Sequence, residues 1–360
     1  MDLFDPVRLG ALPLANRIVM SPMTRSRAGP GDVPTQLHVA YYGQRASAGL
    51  VVSEGVQPSA AGKGYCRTPG LYSPEQVAGW RHVTEAVHDG GGLIVAQLMH
   101  CGRIASSINK GDGSEIVAPS AIRAAAQIFT DTAGLVDVDM PRALATDEVA
   151  AVVAEYRQSA RNARDAGFDG VELHCSSGYL PMQFLSSNTN RRTDRYGGGV
   201  ENRIRFVLEV LAAMSEAIGA DRIGLRVCPG FGYNDIADDD PVETYGALLD
   251  AASGLGLAYL HLVRRSFPKI DNHALVKARW RGNLILNNEL DPAAAAEVVR
   301  TGTAQAVSFG RPFIGNPDLV ERIRLGAPLA SFDPARLYTP GASGFTDYPA
   351  LATNGPADAV

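Results

Sequence analysis

Short apolar runs recur along the chain, and each ends in polar or glycine residues. They are Ile18–Met20, Leu50–Val52, Leu93–Leu98, Val171–Leu173, Ile223–Val227, Tyr259–Val263, Leu284–Leu286 and Ala306–Phe309. None shows strict apolar–polar alternation, the pattern expected of parallel strands buried on both faces. Helical periodicity lies between many of them. After Thr146, read as an N-cap, Asp147 and Glu148 occupy the first turn, where the helix dipole favours acids. Val149, Val152, Val153, Tyr156, Ala160 and Ala163 then fall on one stripe, and Gly167 stands where a C-terminal glycine is wanted. Ile204, Val207, Leu208, Leu211 and Ile218 form a second stripe, stopped by Gly219.

Eight strands alternating with helices in a 360-residue chain predict an α/β fold, a single (β/α)8 TIM barrel. The rival is a doubly wound sheet, which would normally declare a glycine-rich turn after its first strand. Here Ile18–Met20 runs into Ser21-Pro22-Met23-Thr24 instead. The stretch from Gly102 to Arg142 fits neither strand nor helix rhythm. It reads as an insertion over the barrel mouth, folded as a hairpin, within one domain spanning residues 1–351. Residues 352–360 read as a flexible C-terminal tail.

A barrel gathers the side chains at its C-terminal strand ends into one pocket, so those ends test the prediction. They carry Thr24, Glu54, Gln97 with His100, His174 with Ser177 and Tyr179, Arg226, His261, Asn287, and Gly310-Arg311. The segment past the fourth strand is the most telling, because a core strand without a chemical duty has little reason to end in His, Ser and Tyr. Only one carboxylate, Glu54, is among these ends, which argues against the paired acids of glycoside hydrolysis and against a metallohydrolase. The set suits a planar, hydrogen-bonding ligand with a phosphate tail.

Composition narrows the partners. With 46% hydrophobic and 20% charged residues and a net charge of −5, the chain can bury a large core and has no basic run for nucleic acid. No apolar stretch approaches the ~20 residues of a membrane span, and the N-terminus lacks a secretion signal. Cys66, Cys101, Cys175 and Cys228 are too scattered for a zinc pattern and read as reduced thiols of a cytoplasmic enzyme with no metal. Glu54 reads as a structural tie from the second strand to the barrel floor. The expected partner is a small molecule, and the chain a monomer or small homo-oligomer.

Seven stretches carry a family resemblance: NRIVMSPMTR at Asn16, YYGQRASAGLVVSEG at Tyr41, GYCRTPGLYSPEQVAGW at Gly64, VAQLMHCGR at Val95, the segment Phe168–Tyr196 with RTDRYGGGVENRIRF at Arg192, VSFGRPFIGNPDL at Val307 and GFTDYPAL at Gly344. In order and spacing the chain resembles the Old Yellow Enzyme family from about Leu3 to Leu351. That resemblance implies FMN in a (β/α)8 barrel, with NAD(P)H as reductant. It also implies reduction of activated C=C bonds in enones, enals, maleimides and nitroalkenes. The Pro22-Met23-Thr24 turn would lie at the cofactor, with Thr24 on the flavin C4 carbonyl. Gln97 would face the pyrimidine edge, and Arg226 the N1 and C2 carbonyl, where reduction places negative charge. Gly310 and Arg311 would take the phosphate. His174 and Ser177 would polarise the substrate oxygen while hydride passes from flavin N5 to the β-carbon. Tyr179 would then protonate the α-carbon, since a phenol stays protonated at neutral pH. Tyr65 and Phe345 would line the pocket.

The chain departs from the family pattern at four places. Ser177 stands where Asn or His is usual, Met99 where many relatives carry Trp, and Phe345 where tyrosine is common. Asn287-Asn288 replaces a glycine turn after the seventh strand, at the phosphate. A serine has a shorter arm than asparagine, which predicts a shifted substrate range and weak turnover of simple cyclic enones. The alternative is a flavin-dependent isomerase or desaturase acting on a specific biosynthetic intermediate.

Overall fold

The predicted apolar runs become the staves of a closed barrel. The computed structural model describes residues 1–111, 113–287 and 290–351. Its barrel strands are β1 (Ile18–Met20), β2 (Leu50–Val56), β3 (Ile94–Leu98), β4 (Gly170–Cys175), β5 (Ile223–Val227), β6 (Tyr259–Val263), β7 (Leu284–Asn287) and β8 (Ala306–Phe309). Each pairs in parallel with the next in chain order, and β8 pairs with β1 to close the ring. Helices α1 (Gln36–Gly43), α2 (Pro74–Asp89), α3 (Thr146–Asp165), α4 (Val200–Ile218), α5 (Pro241–Ser253), α6 (Asn272–Arg279), α7 (Pro292–Arg300) and α8 (Leu319–Leu325) alternate with them. This is the (β/α)8 barrel expected from the sequence, and the doubly wound alternative falls.

The helical stripes bury as their spacing requires. Val149, Val152, Val153, Tyr156, Ala160 and Ala163 of α3 are all buried, as are Ile204, Val207, Leu211 and Ile218 of α4. Leu208 is only partly buried against them. Gly167 and Gly219 adopt φ of +87° and +95°, the left-handed region that glycine reaches without strain and that ends a helix cleanly. The start of α3 differs from expectation. Thr146 is its first helical residue, not the cap, and its hydroxyl donates to Asp194 at 2.5 Å. The Ala145 N–H is satisfied instead by the Glu148 carboxylate at 2.6 Å.

The two ends of the barrel are closed differently. A hairpin, Val7–Leu9 with Leu12–Leu14, plugs the N-terminal end. Its Leu9, Leu12 and Leu14 pack on Val19, Leu50, Val52, Val95, Ile285 and Ala306 from inside the strands. Gly10 turns the hairpin at φ +58°, and a Cβ there would lie 2.3 Å from the Asp221 carbonyl. At the other end lies the insertion. Within it Gln127–Thr130 and Gly134–Asp137 form the expected hairpin. Strand β2 carries one extra residue relative to β3 between Val52 and Gly55. Glu54 sits in that bulge, fully buried, and accepts from the Arg25 N–H at 3.3 Å and the Tyr42 hydroxyl at 3.4 Å. It therefore ties the strand to the mouth loop and α1, not to the floor.

Candidate active site

Strand register brings the polar strand-end residues into one layer. Gln97 of β3 is paired with Glu172 of β4, His174 of β4 with Arg226 of β5, and Arg226 with His261 of β6. Parallel neighbours in register point to the same side of the sheet, so these side chains meet inside the barrel. Gln97 Nε2 donates to Glu172 Oε1 at 2.8 Å, and His261 Nδ1 meets Glu172 Oε2 at 2.8 Å. A carboxylate only accepts, so Nδ1 carries the proton of His261 and Nε2 is its acceptor. Arg226 Nη1 lies 2.6 Å from that Nε2, and Ser308 Oγ 2.7 Å from it. Arg226 Nη2 donates to Asn287 Oδ1 at 3.1 Å, and Asn287 Nδ2 donates in turn to Ser21 Oγ.

The charges of this layer follow from burial and from one another. Burial pushes the Glu172 carboxyl up, but His261, Arg226 and Gln97 together hold it below the ordinary carboxylate range. Burial, reinforced by Arg226, pulls His261 down to about 4. Burial, again reinforced by Arg226, pulls His174 down to about 3. Both imidazoles are neutral at physiological pH. Desolvation lowers the Arg226 guanidinium as well, and Glu172 opposes that shift.

Above the layer opens a cavity of about 940 Å³. Pro22, Met23, Thr24, Tyr65, Tyr179, Arg226, Asn287, Gly310 and Arg311 line it, together with Ile128, Phe129 and Leu135 of the insertion hairpin. His174 and Gln97 are not part of that lining: they are 8% and 2% exposed, His174 packed against the lining Tyr179 and Gln97 bonded to Glu172. His174 stands edge-on to the Tyr179 ring, centroids 5.0 Å apart, and its Nδ1 is 3.2 Å from Ser176 Oγ. Tyr179 donates its hydroxyl to Tyr65 Oη at 3.1 Å. Burial and the neighbouring Tyr65 hold the Tyr179 phenol well above its usual pKa.

Two sequence-predicted residues have other surroundings. Phe345 is fully buried away from the cavity, stacked on Tyr41 at 4.1 Å and capped by the guanidinium of Arg27 at 4.7 Å. Met99 is 3% exposed and packs behind Tyr179 with Cys101, Ile104 and Ile128. Asn288 lies outside the described residues. Ser177 is half-buried at φ +57°, a backbone region that asparagine tolerates better than serine.

Other residues of the site escaped sequence reasoning. Glu172 is a second carboxylate at the strand ends, and its position two before His174 on the same face was the available signal. Asn234, in the loop after β5, donates its amide to the Ser177 carbonyl at 2.8 Å and lines the cavity. Leu337, Tyr338 and Pro340 reach the mouth from the far end of the chain, which no local pattern announces.

A barrel whose strand ends converge on amides, hydroxyls, a neutral imidazole and a guanidinium suits a planar, hydrogen-bonding cofactor with a phosphate tail. The comparisons give the family. Residues 2–330 match the NADH:flavin oxidoreductase / NADH oxidase family, and the chain belongs to it. The chain is 40% identical over 353 residues to a Leishmania infantum protein described as a probable flavin mononucleotide-dependent alkene reductase, covering 96% of this chain and 97% of that one. It is 37% identical to 12-oxophytodienoate reductase 1 of Oryza sativa subsp. japonica, covering 98% and 93% of the two chains. Morphinone reductase in complex with tetrahydroNAD superposes with a TM-score of 0.94 at 45% identity, covering 98% of each chain. The old yellow enzyme homologue from Zymomonas mobilis superposes at 0.93 with 39% identity, covering 97% and 99%. The Old Yellow Enzyme resemblance is thereby established. The protein is an FMN-dependent oxidoreductase that uses NAD(P)H and reduces activated C=C bonds. No described helix is long and apolar enough to cross a membrane.

Proposed function

We propose that the layer at the strand ends holds the flavin ring and that His174 and Tyr179 act on an electron-poor alkene above it. The residues present fit FMN. Gln97 has its Nε2 engaged by Glu172, so its Oε1 is the atom left to accept from an imide N–H. Thr24 offers a hydroxyl and Arg226 a guanidinium at the same cavity wall. Asn287, Gly310 and Arg311, which line the same cavity, would take the phosphate, and Pro22 and Met23 would flank the ring. FMN, when bound, supplies the hydride.

The other steps fall to the chain's own side chains. With Ser176 Oγ, 3.2 Å away, donating to His174 Nδ1, Nε2–H would be the donor to a carbonyl or nitro oxygen. A neutral imidazole hydrogen-bonds that oxygen without giving up its proton, and so polarises the alkene. Tyr179 keeps its phenolic proton until the α-carbon takes it, because burial disfavours the free phenolate. Tyr65 accepts from Tyr179 and so fixes the hydroxyl in the cavity. Asn234 anchors the Ser177 carbonyl and keeps the loop between His174 and Tyr179 in place.

The observation that carries this reading is the His174–Tyr179 pair, a neutral imidazole set edge-on to a high-pKa phenol that lines the cavity. The test is the visible spectrum of the holoenzyme under anaerobic conditions. A flavin band that bleaches with NADPH or NADH and returns on adding a maleimide or an enone is the expected result. A band that bleaches and stays bleached with every activated alkene, while a candidate substrate rearranges without consuming nicotinamide, would replace it with the redox-neutral reading.

A further inference from the structure

Glu172 has no place in the chemistry above, yet it is the most completely buried charge of the site. Its relative exposure is 0%, and so is that of His261, which separates it from Arg226. Both carboxylate oxygens are engaged, one by Gln97 Nε2 and one by His261 Nδ1, each at 2.8 Å. Through His261 Nε2 the chain of contacts reaches Arg226 Nη1 at 2.6 Å. A fold that needed only packing here would place a neutral side chain, because a buried carboxylate is expensive to desolvate. The arrangement instead sets one negative charge, in a medium that screens poorly, beside the guanidinium at the cavity wall.

We propose that Glu172 is a positioning residue that moderates the reduction potential of bound FMN. It acts as counter-charge to Arg226 through His261 and fixes the Gln97 amide with its oxygen toward the ligand. The proposal rests on the placement of Gln97 and Arg226 at the flavin pyrimidine. Two-electron reduction puts negative charge on that side of the ring. Arg226 favours it and Glu172 opposes it, so the potential is set by the difference between them. Gln97 links the same carboxylate to the ligand by a second route. With an acceptor at 172 the Gln97 amide must present Nε2 to it, and a donor at 172 would force the amide to turn over.

The test is the midpoint potential of the holoenzyme, measured against reference dyes in saturating FMN. Glu172→Gln keeps an oxygen for the His261 Nδ1–H, removes the charge, and turns a donor toward Gln97, whose amide then turns over. It should raise the potential, with reduced flavin held about tenfold more tightly relative to oxidised flavin, or ~30 mV for a two-electron couple. A folded E172Q holoenzyme with an unchanged or lower potential overturns the proposal. Should E172Q fail to fold, the exchanged pair Q97E/E172Q decides. It preserves the amide–carboxylate contact and the net charge but moves the carboxylate to β3, and the potential should drop below wild type. No drop overturns the proposal. Arg226→Met separates the failures. If R226M leaves the potential unmoved, the placement of Arg226 at the ring is wrong. If R226M lowers it while E172Q changes nothing, the role of Glu172 alone is wrong.

Discussion

The two ends of the barrel are built from the same eight strands and hold together by different physics. At the floor Leu9, Leu12 and Leu14 of the hairpin meet Val19, Leu50, Val52, Val95, Ile285 and Ala306 in an apolar cluster. At the mouth, a few residues along those strands, Gln97, Glu172, Arg226, His261 and Ser308 form a connected hydrogen-bond layer. Floor contacts are non-directional and sum by area, so they tolerate exchange among apolar residues of similar volume. Contacts in the mouth layer are directional, and losing one member strands its partner. The floor therefore tolerates exchange that the mouth does not, and the chemistry belongs to the mouth. The comparison predicts that changes at each end have separable consequences.

The largest effect belongs to the mouth. Tyr179→Phe removes the acid and leaves the ring, so alkene-driven reoxidation should slow by ~10²–10⁴-fold while reduction by NAD(P)H keeps its rate. Stopped-flow measurement of the two half-reactions checks this, and equal slowing of both would deny Tyr179 its role. The matching change at the floor is Leu12→Ala. Leu12 is 1% exposed, and its truncation should cost about 2–5 kcal/mol of unfolding free energy with the half-reaction rates unchanged. A floor variant that lost activity while folded would break the separation.

Acid should act on the mouth and not on the floor. Burial lowers His174 and His100 to about 3 and His38 and His261 to about 4, each from an ordinary 6.5. For each, the unfolded chain binds the proton first as pH falls. Their contribution to stability is complete above ~6.5 and is lost on descending toward 4 and 3. Glu54, pushed up to about 7 by burial, has the opposite sign: its contribution is present below the ordinary 4.5 and lost as pH rises to 7. Four histidines against one carboxyl give a net loss on acidification. The melting temperature should fall from pH 7 to pH 5, and more steeply in Glu54→Gln. A flat profile would mean that these imidazoles are not held neutral.

The same contrast explains what the sequence makes legible. Ile223–Val227, Tyr259–Val263 and Ala306–Phe309 are strands to the residue, because an apolar run bounded by polar residues is a local signal. Strands β2, β4 and β7 extend past the apolar runs into Glu54, His174 and Asn287: Glu54 and Asn287 find side-chain partners on other elements, and His174 pairs in register with Arg226 of β5. Glu172 bonds Gln97 75 residues away and His261 89 residues away, and nothing near Glu172 in sequence reports either contact. Motif resemblance placed Phe345 at the pocket, yet three-dimensional packing on Tyr41 removes it. Thr146 looked like a cap because threonine often is one, and the neighbouring Asp194 claimed its hydroxyl instead.

The smallest effect tests the least typical residue of the mouth. Ser177 holds φ +57°, followed by Gly178 at +79°, and Asn234 pins its carbonyl at 2.8 Å. A serine pays a small conformational penalty there that asparagine largely avoids, and it carries its donor on a shorter arm. Ser177→Asn should therefore raise stability by a few tenths of a kcal/mol, on the order of the asparagine preference for this backbone region. It should also extend a donor toward a substrate oxygen held, as proposed, by His174. Turnover of cyclohexenone should rise several-fold in S177N, through faster reoxidation by the alkene and not through faster reduction by NAD(P)H. Unchanged enone turnover, with the melting temperature raised, would show that the loop conformation sets the preference at 177 and that the second donor to the substrate comes from elsewhere.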